Sequence, residues 1–120
     1  MSESAPKPET PVETFCALDI RKGTVLSCEV NEKARKPAYK LRVDFGPEIG
    51  VKQSSAQLAR RYKTEELVGT AVLGVVNFPS RLIAGFRSEV LILGVYDPND
   101  TGDVILIRPD FEVPDGWPLG

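Results

Sequence analysis

Lys33, Arg35, Lys36, Lys40 and Arg42 crowd into one short stretch of a 120-residue chain. Ammonium and guanidinium groups at that density are suited to phosphate, because neutralising phosphates and releasing their counterions drives sequence-independent nucleic-acid binding. From Lys33 to Lys63 there are nine Lys or Arg against two carboxylates, while the tail after Tyr96 holds six carboxylates against Arg108 alone. A formal net charge of −2 therefore conceals a chain that is electrically two-sided. Strict alternation over Tyr39–Phe45 sets Lys40 and Arg42 on one outward side, and the preceding loop adds Lys33, Arg35 and Lys36. Lys52 falls on the next strand and extends the same patch. Arg60, Arg61 and Lys63 either enlarge it further or hydrate a short helix.

Two other groups have chemistry to offer. Ser54, Ser55 and Gln57 make a polar strand, either simply solvated or able to bond ribose and exposed bases. Phe78 and Phe86 flank an irregular connection, Pro79 to Gly85, where a ring can stack on an unpaired base, line an apolar groove for peptide, or serve ordinary packing. Histidine is absent, which removes the commonest general base and metal ligand and argues against an enzyme. Cys16 and Cys28 lie in or beside apolar runs and read as two buried thiols with no disulfide framework. Asp97-Pro-Asn-Asp-Thr-Gly-Asp103 imitates the start of a calcium loop, but Arg108 stands where the bidentate Glu belongs, so the segment reads as a hairpin turn. Gly85 and Gly94 fit no phosphate-binding or dinucleotide pattern. No metal or cofactor is implied.

The elements that must position these groups are mostly strands. With 42% hydrophobic residues the chain suits one compact domain. Residues 1–13 contain three prolines and no aromatic and read as a disordered acidic, proline-rich tail ahead of a domain over residues 14–120. Strands are predicted at Gly23–Val30, Tyr39–Phe45, Val51–Leu58, Thr70–Val76, Glu89–Val95 and Val104–Ile107. One helix is predicted within Gln57–Val68, with Thr64 as N-cap and Gly69 as its stop. Three strands, a short helix and more strands is the order of an OB-fold: mainly β, a five-stranded Greek-key barrel with a short helix and an additional C-terminal strand. No stretch reaches the roughly 18 apolar residues of a membrane span, and the N-terminus lacks a signal-peptide core, so a cytoplasmic location without membrane insertion is expected.

Longer segments go beyond pattern: Leu18-Asp-Ile-Arg-Lys-Gly-Thr-Val25, Ala34-Arg-Lys-Pro-Ala-Tyr-Lys-Leu41, Asp44-Phe-Gly-Pro-Glu-Ile-Gly50, Ser54-Ser-Ala-Gln57, Val76-Asn-Phe-Pro-Ser-Arg81 and Ser88-Glu-Val-Leu-Ile-Leu-Gly94. Together they resemble the CsaA family, within the wider tRNA-binding-domain group. The resemblance implies an OB-fold homodimer that binds tRNA. It also implies an export-related chaperone that holds unfolded or export-bound polypeptides, with the protein-export machinery as a further partner. The wider group places an Asn, then Pro-x-Lys, then Gly-x-x-Ser-x-Gly-Met across its fourth and fifth strands. The matching positions are Asn77, Pro79, Arg81, Gly85, Ser88, Val90 and Leu91, so RNA contact is expected at Asn77, Arg81 and Ser88, while Val90 and Leu91 depart from Gly-Met. The expected function is tRNA binding through backbone charge, with passive holding of unfolded chains as the alternative.

Overall fold

Apolar alternation decides the central strand: Tyr39, Leu41 and Val43 are buried, and Arg42 between them is exposed. In the computed structural model, which describes residues 4–120, the chain opens with helix α1 (Val12–Cys16) and strands β1 (Ile20–Val30), β2 (Tyr39–Asp44) and β3 (Val51–Ala56). Helix α2 (Thr64–Leu67) and strand β4 (Ala71–Val75) follow, then β5 (Arg81–Ile83), β6 (Phe86–Ser88), β7 (Leu91–Ile92), β8 (Gly94–Asp97) and β9 (Asp100–Leu106). Five strands form one antiparallel sheet in the order β3-β2-β1-β4-β7, with β5-β6 and β8-β9 as separate hairpins. The register of β1 against β2 shifts between Val25 and Ser27. That bulge bends the long strand so that it pairs with β2 at one end and β4 at the other.

The sheet curls until its edges nearly meet. Glu89 N–H donates to Gln53 O at 2.8 Å, Gln53 N–H donates to Glu89 Oε1 at 3.1 Å, and Ser55 N–H donates to Ser88 Oγ at 3.0 Å. The free edge of β3 is thus satisfied largely by side chains, and the nearly closed barrel is an OB-fold, as expected. Val25, Leu41, Val43, Phe45, Leu67 and Val72 fill its interior. The Phe45 ring lies where a Cβ on Gly23 would come within 2.8 Å and one on Gly74 within 3.0 Å. Close approach of the ring to both strands therefore requires glycine at these two places.

Several elements differ from the sequence reading. The predicted helix is only Thr64–Leu67, with Lys63 at its N-cap position instead of Thr64; Glu66 Oε1 accepts from Lys63 N–H at 2.9 Å. Residues 57–63 do not coil because tertiary contacts capture their groups: Tyr39 donates its hydroxyl hydrogen to Tyr62 O at 2.6 Å, and Tyr62 Oη accepts from Leu106 N–H at 3.0 Å. Helix α1 takes in Val12 and Glu13, the last two residues of the proline-rich stretch, and has no buried residue. The span Pro79–Gly85 contains most of a β-hairpin whose turn residues Ala84 (φ 49°) and Gly85 (φ 78°) both have positive φ. Ala is a poor residue for the left-handed region, at a cost of about 1 kcal/mol, which is why no turn was legible there.

The start of β1, three residues earlier than predicted, is explained by the chain end. Residues 116–119 lie along it: Lys22 N–H donates to Trp117 O at 3.0 Å, Gly116 N–H to Lys22 O at 2.8 Å and Leu119 N–H to Ile20 O at 2.8 Å. Lys22 is buried and its ammonium reaches Asp115 Oδ1 at 2.7 Å. Burial alone would raise the Asp115 carboxyl, but hydrogen bonds from Lys22 and Thr24 outweigh it and leave the group below its ordinary range. Trp117 is 56% exposed. Cys16 is exposed, contrary to the expectation of burial, because α1 lies on the surface. Cys28 is half-buried, and burial with the nearby Glu29 pushes its thiol up to about 11, which makes it a poor nucleophile. No helix among the described residues is long and apolar enough to cross a membrane.

Candidate nucleic-acid interface

The outward rows of the first three strands follow from register, since directly opposed residues in an antiparallel pair share a face. Lys40 stands between Glu29 of β1 and Ser55 of β3, and Arg42 between Ser27 and Gln53. Arg42 has no ion-pair partner among the described residues, and the Lys40 ammonium lies a loose 3.8 Å from Glu29. Lys52 is a correction to the sequence reading. It is in register with Val43, which puts it on the opposite face from Lys40 and Arg42, and its ammonium turns toward Glu89 at 4.0 Å. One residue of strand period separates the two faces, and adjacency in sequence could not show which one Lys52 joins.

Hairpin β5-β6 leans over this outward surface and brings more cations to it. The Lys40 ammonium sits 5.9 Å from the Phe86 ring centroid, within cation–π range. At the hairpin tip, a Cβ on Gly85 would lie 3.3 Å from Lys33 Cδ, so the loop cation and the hairpin are neighbours. Lys33, Lys40, Gly85 and Phe86 line a polar hollow of about 390 Å³. Asn31 on the same hollow is buried, with its Nδ2 unpaired. Arg81 and Arg87 project from the two strands of the hairpin, both exposed and without ion-pair partners among the described residues. Arg87 was not singled out from the sequence; the basic neighbourhood exists only once the hairpin is recognised. Arg35 and Lys36 are exposed in the loop before β2, and Lys36 faces a second groove shared with Arg60.

Three expected RNA contacts hold the fold together instead. Ser54 points into the barrel, 0% exposed, and its hydroxyl donates to Val90 O at 3.0 Å. Ser88 is buried, accepting from Ser55 N–H and donating to Val90 O at 3.4 Å. Both hydroxyls serve barrel closure, Ser54 from the interior and Ser88 from the floor of the cleft beside β5-β6. Asn77 is on the surface, but its amide is engaged at both ends, with Oδ1 accepting from Asp19 N–H and Nδ2 donating to Ala17 O, each at 2.9 Å. It pins the segment after α1 to the end of β4.

The second basic group is neutralised by the acidic tail. Arg60 pairs with Asp100, and Arg61 grips Asp103 with both nitrogen arms. The hydrogen bond from Arg61 holds the Asp103 carboxyl below its ordinary range. These pairs hold hairpin β8-β9 against the turn before α2, with the predicted Asp97 turn at its end. The two charge poles of the sequence therefore meet in part, while Lys33, Arg42, Arg81 and Arg87 around β2 and β5-β6 have no ion-pair partner among the described residues.

Beside β5-β6 a cleft of about 150 Å³ opens, lined by Phe78, Pro79, Ile83, Leu91, Arg81 and Glu89, among others. Phe78 is 43% exposed there, whereas Phe86 is half-buried under Lys40. Of the two rings, Phe78 is the one open for stacking.

Residues 20–118 match the family described as "Putative tRNA binding domain". The chain belongs to the tRNA-binding-domain family. It is 42% identical over 110 residues to methionine–tRNA ligase of Methanothrix thermoacetophila, covering 92% of this chain and 15% of that protein. Against the ligase of Porphyromonas gingivalis it is 40% identical, covering 87% of this chain and again 15% of the relative. The chain spans about 15% of the length of these curated relatives. Among solved structures, chaperone CsaA from Bacillus anthracis superposes with a TM-score of 0.87 at 46% identity, covering 94% of this chain and 100% of the other. The CsaA chaperone protein from Picrophilus torridus gives 0.85 at 39% identity, with 93% and 100% covered. The likeness to CsaA read from the sequence segments is borne out.

Proposed function

We propose that this tRNA-binding-domain protein binds structured RNA, tRNA foremost, on the surface made by the outward row of β2, the loop before it and hairpin β5-β6. One observation carries the reading: Lys33, Lys40, Arg42 and Arg81, from three separate parts of the chain, lie around one surface, with Arg87 on the far face of the hairpin, and only Lys40 has even a loose ion pair among the described residues. Such a surface neutralises phosphates without reading base pairs, which suits a folded A-form RNA. Family membership and the ligase relatives support tRNA as the RNA concerned. The direct test is titration of labelled tRNA at several salt concentrations. Log affinity is expected to fall with log salt at about 0.7 to 0.9 units per phosphate neutralised, and a salt-independent affinity would remove the reading.

A second reading, a passive holder of unfolded or export-bound polypeptide, has its own observation. Phe78, Leu82 and Leu91 expose 43%, 64% and 50% of their surface around one hairpin, and the CsaA neighbours are described as chaperones. On this reading Phe78→Ala with Leu82→Ser should abolish suppression of aggregation of an unfolded client, while tRNA affinity falls less than tenfold. Undiminished holding by that variant would exclude the hairpin as a client site.

Both readings are compatible with a homodimer. Helix α1 exposes Val12 and Phe15 and has no buried residue, and Trp117 and Leu119 are open at the chain end. Apolar surface of this kind is commonly covered by a partner. Sedimentation velocity at micromolar concentration is expected to show twice 13.1 kDa; a single species of monomer mass would exclude the dimer.

A further inference from the structure

We propose that the cleft beside β5-β6 is a pocket for one unpaired nucleobase, guanine foremost, whose Watson–Crick edge is read by the Glu89 carboxylate. This rests on the RNA-binding reading above and adds base recognition to it. Phe78, Pro79, Ile83 and Leu91 give the cleft apolar walls, and its volume of about 150 Å³ is on the scale of a single base. An exposed aromatic ring on one wall offers a face for stacking.

Glu89 supplies the selectivity. Its backbone N–H and its Oε1 both bond the backbone of Gln53, at 2.8 Å and 3.1 Å, so the carboxylate is fixed in place. Its Oε2 accepts no hydrogen bond among the described residues, and the Lys52 ammonium stays 4.0 Å away. An ionised carboxylate only accepts. The matching edge has donors side by side, which guanine provides through N1–H and the N2 amine. Uracil offers one donor between two carbonyl oxygens that a carboxylate repels, and adenine and cytosine set their amine beside an acceptor nitrogen.

The surroundings favour a base over other occupants. An apolar peptide side chain would cover Oε2 without giving it a donor, at a desolvation cost. A phosphate would be repelled by the same carboxylate, yet Arg81 at the cleft, without an ion-pair partner among the described residues, is suited to the phosphate of a base already inserted. Ser55 lines the cleft and is also the cross-strand neighbour of Lys40. Pocket and basic row are therefore continuous, so that a strand tracking the cations can turn one base inward.

The test compares RNA stem-loops with a uridine loop carrying a single guanosine, inosine or uridine, titrated at fixed salt by fluorescence anisotropy. The guanosine loop is expected to bind about five- to a hundredfold more tightly than the other two, the range for one good bidentate base contact. In Glu89→Gln that preference should shrink to about twofold, because the guanosine loop loses affinity while the inosine and uridine loops hold or gain theirs with a negative charge gone. Salt-dependent binding with no preference among the three loops would overturn the pocket and leave the RNA reading standing. A preference that survives Glu89→Gln would overturn the role of Glu89, and displacement of all three loops equally by an apolar peptide would assign the cleft to polypeptide. No RNA binding at all would remove both readings. The guanosine-to-inosine comparison uses the unaltered chain, so it stands whether or not the variant folds.

Discussion

With Lys40, Arg42, Arg81 and Arg87 all changed to Ala, tRNA affinity at about 0.15 M salt is expected to fall by about two orders of magnitude, and the salt slope to flatten by about three units. Lys40, Arg42 and Arg81 stand on or beside one surface, Arg87 extends from the far face of the hairpin, and none carries a close ion pair among the described residues. Their loss removes phosphate contacts without leaving a buried partner unsatisfied. Arg42, Arg81 and Arg87 are exposed and Lys40 is only half-buried, so the thermal midpoint should hardly move. Arg60→Ala with Arg61→Ala is the matched comparison, equal in kind of charge but drawn from the pair already neutralised by Asp100 and Asp103. That variant should keep its slope within about one unit. An equal loss in both variants would show that the whole basic stretch acts together and that the ion pairs open on binding.

Phe45→Ala is expected to carry the largest cost in stability, about 3 to 5 kcal/mol, measured as a drop in the urea midpoint at constant slope. Against a typical total of about 5 to 15 kcal/mol, this brings the domain close to unfolding. Phe45 is 0% exposed, and β1 and β4 carry glycine under its ring. Neighbouring side chains have no Cβ at those two points with which to refill the space, so a cavity persists. The complementary substitution, Gly23→Ala, forces a methyl to within 2.6 Å of Val43 Cγ1 and 2.8 Å of the Phe45 ring, and should cost about 1 to 3 kcal/mol. In the Phe45→Ala background the added methyl should cost less, since only the contact with Val43 remains to be relieved. Additive losses in the double variant would show that ring and glycine do not meet.

Chain chemistry by itself determined the barrel and the main basic strand. Alternation over Tyr39–Asp44 has a period fixed by the pleat, so which residues face the core and which face outward is a local property. Lys40 and Arg42 on the outward side followed directly, as did the hairpin at Asp97–Asp103, where turn residues carry their own conformational preference. The likeness of whole segments to CsaA gave the family, and the comparisons agree with it.

What only the tertiary structure decided lies where one segment answers another. Lys52 belongs to the far face because β3 pairs with β2 in one register and not the next. Ser54 and Ser88 are structural because the barrel closes over them, and closure is a property of strands far apart in the chain. Hairpin β5-β6 escaped notice because Ala84 occupies a turn position that normally signals itself with Gly or Asn, and with it went Arg87. Charge showed the same divide. Composition revealed two opposite poles, but the cancellation of Arg60 and Arg61 by Asp100 and Asp103, and of Lys22 by Asp115, depends on which carboxylate comes within reach of which cation after folding. Coulomb attraction acts through distance in space, and sequence separation does not report that distance.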